Sequence, residues 1–237
     1  MDSWHYDPAQ DLNQTFTERL RQFPREPDML VYGLRCAAAL ACRGWLRAYH
    51  RLRVENQQAL PTTGSFVMVA NHTSHLDALC LLAALPLKTL HRAFPAAARD
   101  YFFSTLPKAA FSAIIINALP FERNCSPRQS LSTCRLLLES PGNVLVIFPE
   151  GTRSTTGEVG EFKPGLGLLV AGTDIPVVPC YLDGAGSAWP KGAWLPRPRR
   201  VTLRIGQPIT FAHLTPGKSA ALQIATDLQS AVCSLAK

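Results

Sequence analysis

The stretch Ser65-Phe66-Val67-Met68-Val69-Ala70-Asn71-His72-Thr73-Ser74-His75-Leu76-Asp77 runs five apolar residues into a polar turn. An unbroken apolar run has no face for water, so 67–70 reads as a central strand buried on both sides of a sheet. A second apolar stretch follows at once and stops at Pro86, which marks a helix over 77–85. A buried strand that hands over directly to a helix is the βα unit of an α/β sheet.

The same grammar returns downstream. Residues 144–148 are again apolar and end in Pro149-Glu150-Gly151-Thr152-Arg153-Ser154, so polar side chains stand twice at the carboxyl end of a buried strand, where open α/β sheets bind ligands. Further strands are expected at 89–94, 118–121, 177–182 and, as an alternating edge strand, 201–205. Helices are expected at 99–105, 108–116, 126–139, 164–171 and 218–235; Ser126-Pro127 opens the third of these and Pro141-Gly142 closes it. Residues 183–200 read as a long excursion over one side. The fold class is therefore α/β, with a mixed, largely parallel central sheet flanked by helices.

Ahead of this domain, 1–27 form a polar, proline-containing arm, and 29–45 are rich in Ala, Leu and Cys, broken by Arg35 and Arg43. Seventeen residues are at the lower limit for crossing a bilayer, and two arginines inside it would each cost a few kcal/mol. Arg35, Arg43 and Arg47 fall within about 120° on a helical wheel, opposite Leu34, Ala38, Ala41 and Trp45. Two readings follow: an amphipathic helix lying in a membrane interface with its arginines towards phosphates, or a core-packed helix whose arginines reach water. The expected division is 1–53 for the arm and membrane-contacting helix and 54–237 for the α/β domain.

Composition narrows the function classes. The 237 residues carry a formal charge of +7, which suits an anionic partner. No nucleic-acid module signature is present, so nucleic acid is not the expected partner. Seven cysteines without CxxC spacing argue against a disulfide framework or zinc knuckle, and the acidic first residues argue against a cleaved signal peptide, which places the active residues on the cytoplasmic side.

His72 and Asp77 lie five apart, about 140° round a continuous helix, so they meet only if His72 sits in the turn before it. Ser74 and Asp77 make a capping-box pattern that starts the helix at His75. Spacing alone supports two readings equally: a base–carboxylate dyad with His72 as general base, or a helix cap beside a polar turn residue. A metal held by His72, His75 and Asp77 is disfavoured, because no further His or acidic cluster supports it. Glu150-Gly151-Thr152-Arg153 offers either an anion grip on a glycine-loosened turn or an internal Glu150–Arg153 ion pair.

Together the two turns resemble the first and third signature blocks of the glycerolipid acyltransferases, most nearly the bacterial 1-acyl-sn-glycerol-3-phosphate type, and Ile175-Pro176-Val177-Val178-Pro179 resembles the fourth. The second block keeps Arg123, but Asn117 stands where the family usually shows glycine. The resemblance implies direct acyl transfer from an acyl-CoA or acyl carrier protein thioester to the free hydroxyl of a lysophospholipid such as lysophosphatidic acid. His72 would deprotonate the hydroxyl and Asp77 would hold His72. Arg123, Glu150, Gly151, Thr152, Arg153 and Lys163 would position the acceptor. No cofactor and no metal are implied, and the protein would sit at the cytoplasmic face of a membrane, peripheral or monotopic. Another lysophospholipid or lyso-aminolipid acceptor, or a non-catalytic lipid-binding role, are the alternatives.

Overall fold

The computed structural model describes residues 29–98, 116–121 and 127–237. A seven-stranded sheet organises them. Its strands in chain order are β1 (Arg53–Glu55), β2 (Phe66–Ala70), β3 (Ala93–Ala98), β4 (Leu119–Phe121), β5 (Val144–Ile147), β6 (Val177–Asp183) and β7 (Thr202–Ile205). Across the sheet they run β1-β7-β6-β2-β5-β3-β4. From β6 to β4 every pairing is parallel; β7 turns antiparallel to β6, and β1 runs parallel to β7. The sheet is thus mixed and largely parallel, as expected.

The helices are α1 (Met29–Tyr49), α2 (Leu76–Ala84), α3 (Pro127–Glu139), α4 (Gly165–Val170), the single turn α5 (Ala185–Ala188) and α6 (Lys218–Ser234). Alternation along β2 sorts the two cores. Phe66, Met68 and Ala70 pack with Leu46 of α1 and Leu76, Cys80 and Leu81 of α2; Val67 and Val69 pack with α3, α4 and α6 through Leu137, Leu166, Ile224 and Leu228. All five β2 residues are buried, which is why the strand reads as unbroken apolar sequence. On the second face α4 and α6 approach so closely that a Cβ on Gly167 would fall inside the Ala221 backbone.

Beyond the last residue of β2 the sheet begins to part, and Asn71 bridges the gap. Its buried side chain donates from Nδ2 to the Leu182 carbonyl (3.1 Å) and accepts the Leu182 N–H on Oδ1 (2.8 Å), a side-chain copy of a ladder pair with β6.

Several expectations need correction. Residues 87–92 are a 3-10 helix (Leu87–Arg92), and the strand starts only at Ala93; Pro86 is compatible with a new turn and Leu90 turns into the core. The strand 202–205 is not at the edge, because β1 covers it. The boundary expected between residues 53 and 54 falls inside β1, and α1 packs on α2 and the 3-10 turn. The helix expected at 99–105, and that expected at 108–116 apart from Ile116, lie outside the described residues.

Helix α1 turns two of its three arginines inward, while Arg47 stays exposed. Arg35 is buried, and Arg43 Nη2 donates to the carbonyl of Leu85, the residue that ends α2. A guanidinium there satisfies a terminal carbonyl and faces the negative end of the helix dipole, while its aliphatic stem packs against apolar neighbours. Met29, Leu30, Leu34 and Leu40 face outward instead.

Replacing Asn71 by Ala would strand two buried backbone groups of β6, costing roughly 2–4 kcal/mol. Urea unfolding should show this as a lower midpoint with an unchanged slope.

Candidate active site

Parallel pairing of β2 with β5, with Val69 opposite Ile147, sets the two carboxyl-end turns side by side. The turn after β2 wraps around the carboxylate of Asp77. Its Oδ2 accepts the backbone N–H of Thr73 (2.6 Å) and of Ser74 (2.7 Å) and faces His72 Nδ1 at 2.8 Å. The Ser74 hydroxyl in turn accepts the N–H of Leu76 (3.2 Å). One half of the capping box, the Asp77 carboxylate on the Ser74 N–H, therefore coexists with the dyad on one oxygen. The Ser74 hydroxyl takes the Leu76 N–H rather than that of Asp77, and the helix begins at Leu76, one residue later than expected.

Asp77 is 0% exposed and the His72 side chain 23%. A carboxylate accepts only, so Nδ1 carries the hydrogen and Nε2 keeps its lone pair for the cleft. The ring is further fixed by stacking on Phe148, with centroids 4.2 Å apart and planes at 18°.

The turn after β5 holds the His72 backbone from both sides. Glu150 Oε1 accepts the His72 N–H (2.7 Å), its Oε2 accepts the Gly160 N–H (3.1 Å), and the Ser154 N–H donates to the His72 carbonyl (2.7 Å). Glu150 is buried, which pushes its carboxyl above the usual range, while the two N–H donors and His72 pull it back and Asp77 adds to the rise. It is a brace for the base. No Glu150–Arg153 ion pair forms; each Glu150 oxygen accepts one of these backbone N–H groups instead.

Gly151 adopts φ +72° and its N–H closes a turn onto the Phe148 carbonyl (3.1 Å). The Lys163 ammonium lies over its bare Cα, where a Cβ would meet Nζ at 2.7 Å. Thr152 is exposed, and Arg153 keeps one buried guanidinium nitrogen, Nη1, without a hydrogen-bond partner. Two cationic side chains, Lys163 and Arg153, therefore border the turn beside the His72–Asp77 pair, one with a donor to spare. The N–H groups of Thr73, Ser74 and Gly151 are all engaged internally.

His75 does not join the pair; its ring is tilted against Trp189, with centroids 5.4 Å apart. Among the described residues no cluster of three or more His, Cys, Asp or Glu side chains is placed to hold a metal. Arg123 lies outside the described residues. Asn117 has φ +54°, and its Nδ2 donates to the carbonyls of His91 (3.0 Å) and Ala93 (3.2 Å). Asn enters the left-handed region more readily than other side chains, so it satisfies the conformation that a glycine at this place would supply. Phe148, Ser154 and Trp189 were not singled out from sequence. Phe148 and Ser154 flank the Pro149-to-Arg153 stretch in sequence, while no motif marked Trp189.

An α/β sheet presenting a buried-Asp/accessible-His pair and a basic glycine turn at its carboxyl edge defines the class. Residues 51–183 match the family described as Acyltransferase, and the chain belongs to that family. It is 32% identical over 149 residues to the chloroplastic 1-acyl-sn-glycerol-3-phosphate acyltransferase LPAT1 of Arabidopsis thaliana, covering 61% of this chain and 39% of that protein. With the 1-acyl-sn-glycerol-3-phosphate acyltransferase alpha of Mus musculus it shares 27% identity over 173 residues, 73% of this chain and 59% of the relative. These matches thus span well under two thirds of the relatives' lengths. The crystal structure of the 1-acyl-sn-glycerophosphate (LPA) acyltransferase PlsC from Thermotoga maritima superposes with a TM-score of 0.64 at 22% identity, covering 87% of this chain and 78% of that one, which shows a shared fold.

His75 yields a pH prediction. Burial first, then Arg153 and His72, hold its imidazole down to about 4. An unfolded histidine titrates near about 6.5, so below that pH the unfolded chain takes up a proton that the folded chain refuses. Stability is full at neutral pH and falls as pH drops through this window. After allowance for partial exposure, the loss attributable to His75 is roughly 1–2 kcal/mol at about pH 4.5. Urea unfolding at both pH values should show His75→Gln narrowing the gap by that amount.

Proposed function

We propose that this chain moves a fatty acyl group from an acyl-CoA or acyl carrier protein thioester to the free hydroxyl of lysophosphatidic acid. The observation that carries the reading is the 2.8 Å contact between His72 Nδ1 and the sealed Asp77 carboxylate, which leaves Nε2 free at the mouth of a cationic turn. The acceptor class follows the relatives in Arabidopsis thaliana and mouse, both named as 1-acyl-sn-glycerol-3-phosphate acyltransferases.

The chemistry needs no covalent enzyme intermediate. Nε2 takes the acceptor's hydroxyl proton as the oxygen attacks the thioester carbonyl carbon; the tetrahedral intermediate collapses, expelling thiolate, which receives the proton back from Nε2. Asp77 stabilises the imidazolium formed in between. Phosphate on the acceptor pairs with Arg153 and Lys163, with Thr152 and Arg123 as further donors, so that two substrates are oriented for one step.

On this reading the reaction runs at the cytoplasmic face of a membrane and uses no metal or cofactor. No helix among the described residues is long and apolar enough to cross a bilayer, while the outward leucines of α1 suit partial burial in one. The described cysteines are free thiols, as suits that compartment.

Thiol release from acyl-CoA, with and without lysophosphatidate, tests the reading. Release should require the acceptor, and His72→Ala or Asp77→Asn should each lower the rate about 10²–10⁴-fold with folding intact. Retained turnover in His72→Ala would remove the general-base role, and release from the wild type only with another lysolipid would reassign the acceptor.

A further inference from the structure

The segment between β6 and β7 contributes nothing to the chemistry above, yet it is built with care. From Gly184 to Arg200 it holds Lys191, Arg197, Arg199 and Arg200 and no acidic residue. At its tip Trp194 is 88% exposed, more than any other large apolar side chain among the described residues, and Leu195 beside it is 64% exposed. The four basic side chains are exposed as well.

This exposure belongs to an ordered loop. The Ala193 N–H closes a turn on the Pro190 carbonyl (3.0 Å), the Trp189 indole donates to the Ala193 carbonyl (2.9 Å), and the Arg197 N–H returns to the Ala188 carbonyl (2.7 Å). Two further contacts fix the loop to the end of α1: the Tyr49 hydroxyl donates to the Pro196 carbonyl (3.1 Å), and His50 Nδ1 meets the Arg199 carbonyl (3.3 Å). An indole and an isobutyl group are thereby held in water on an ordered loop that also carries four exposed cations.

We propose that Trp194 and Leu195 insert into the headgroup region of an anionic lipid bilayer, with Lys191, Arg197, Arg199 and Arg200 pairing with its phosphates. An indole suits that layer because its body is apolar and its N–H is polar. Four cations without a compensating carboxylate match a surface of one sign rather than a protein face of mixed sign. The loop is also tied to the site: the Ser74 hydroxyl donates to the Trp189 carbonyl (2.9 Å), and the Trp189 ring lies against His75. Docking the tip therefore fixes the height of the His72 turn above the lipid from which an amphipathic substrate arrives.

Sedimentation of the full chain with phosphatidylglycerol/phosphatidylcholine vesicles tests this. Trp194→Ser with Leu195→Ser should weaken partitioning at least about tenfold at unchanged thermal unfolding. Binding of the wild type should fall with salt and with pure phosphatidylcholine. In vesicles of brominated lipid, Trp194→Phe should lose most of the wild-type fluorescence quenching, a readout that holds even if the double variant folds poorly. Unchanged quenching in Trp194→Phe overturns the proposal and turns the loop over to a protein partner. Neither readout involves turnover, so the surface and the acyl-transfer reading stand or fall separately.

Discussion

Three donors converge on a single oxygen of Asp77, and that oxygen is closed to water. Two of the donors are consecutive backbone N–H groups, so the turn after β2 can wrap only one way around the carboxylate. The third is the imidazole, so the same wrapping chooses which ring nitrogen is free. Local folding at the start of α2 and the choice of His72 tautomer are one event. A helix that lacked this carboxylate would lose its cap and its tautomer together.

The parallel pairing of β2 and β5 is what makes the turn a site. It brings Glu150 and Ser154 to the peptide of His72 from a sequence distance of 78 and 82 residues. The base is fixed through its backbone by one turn and through its ring by the other, with Phe148 as the flat wall between. Arg153 and Lys163 ride on the bracing turn, so the anion-binding side and the proton-taking side share one frame. Orientation of two substrates, which must supply much of the rate when no acyl-enzyme forms, is then a property of the sheet.

Strands buried on both faces were legible, since β2 and β5 hold no polar residue and β6 has its one charged residue, Asp183, only at its end. β1 was not, because three residues cannot show alternation, and its partner was misplaced at the edge as a result. A wheel says which residues of α1 share a side but not which side faces in. Charge suggested that the arginines point out, whereas the α2 terminus offered Arg43 a carbonyl and the body enclosed Arg35. His72 and Asp77 were found by spacing, yet dyad and cap could not be ranked, because both use the same oxygen. Glu150 was seen but its bracing contacts were not, as its partners lie 78 residues back and 10 ahead. Asn117 looked like a missing glycine only while its backbone angle was unknown.

The tight crossing at Gly167 has a reach beyond its own contact. Helix α6 sits where it does because α4 offers it a position with no side chain, and from there Gln229 accepts the N–H of Phe162, the residue before Lys163. The ammonium that overhangs Gly151 is thus levelled from the far face of the sheet. A methyl group added at Gly167 would act like a shim under α6, tilting a charge that it never touches.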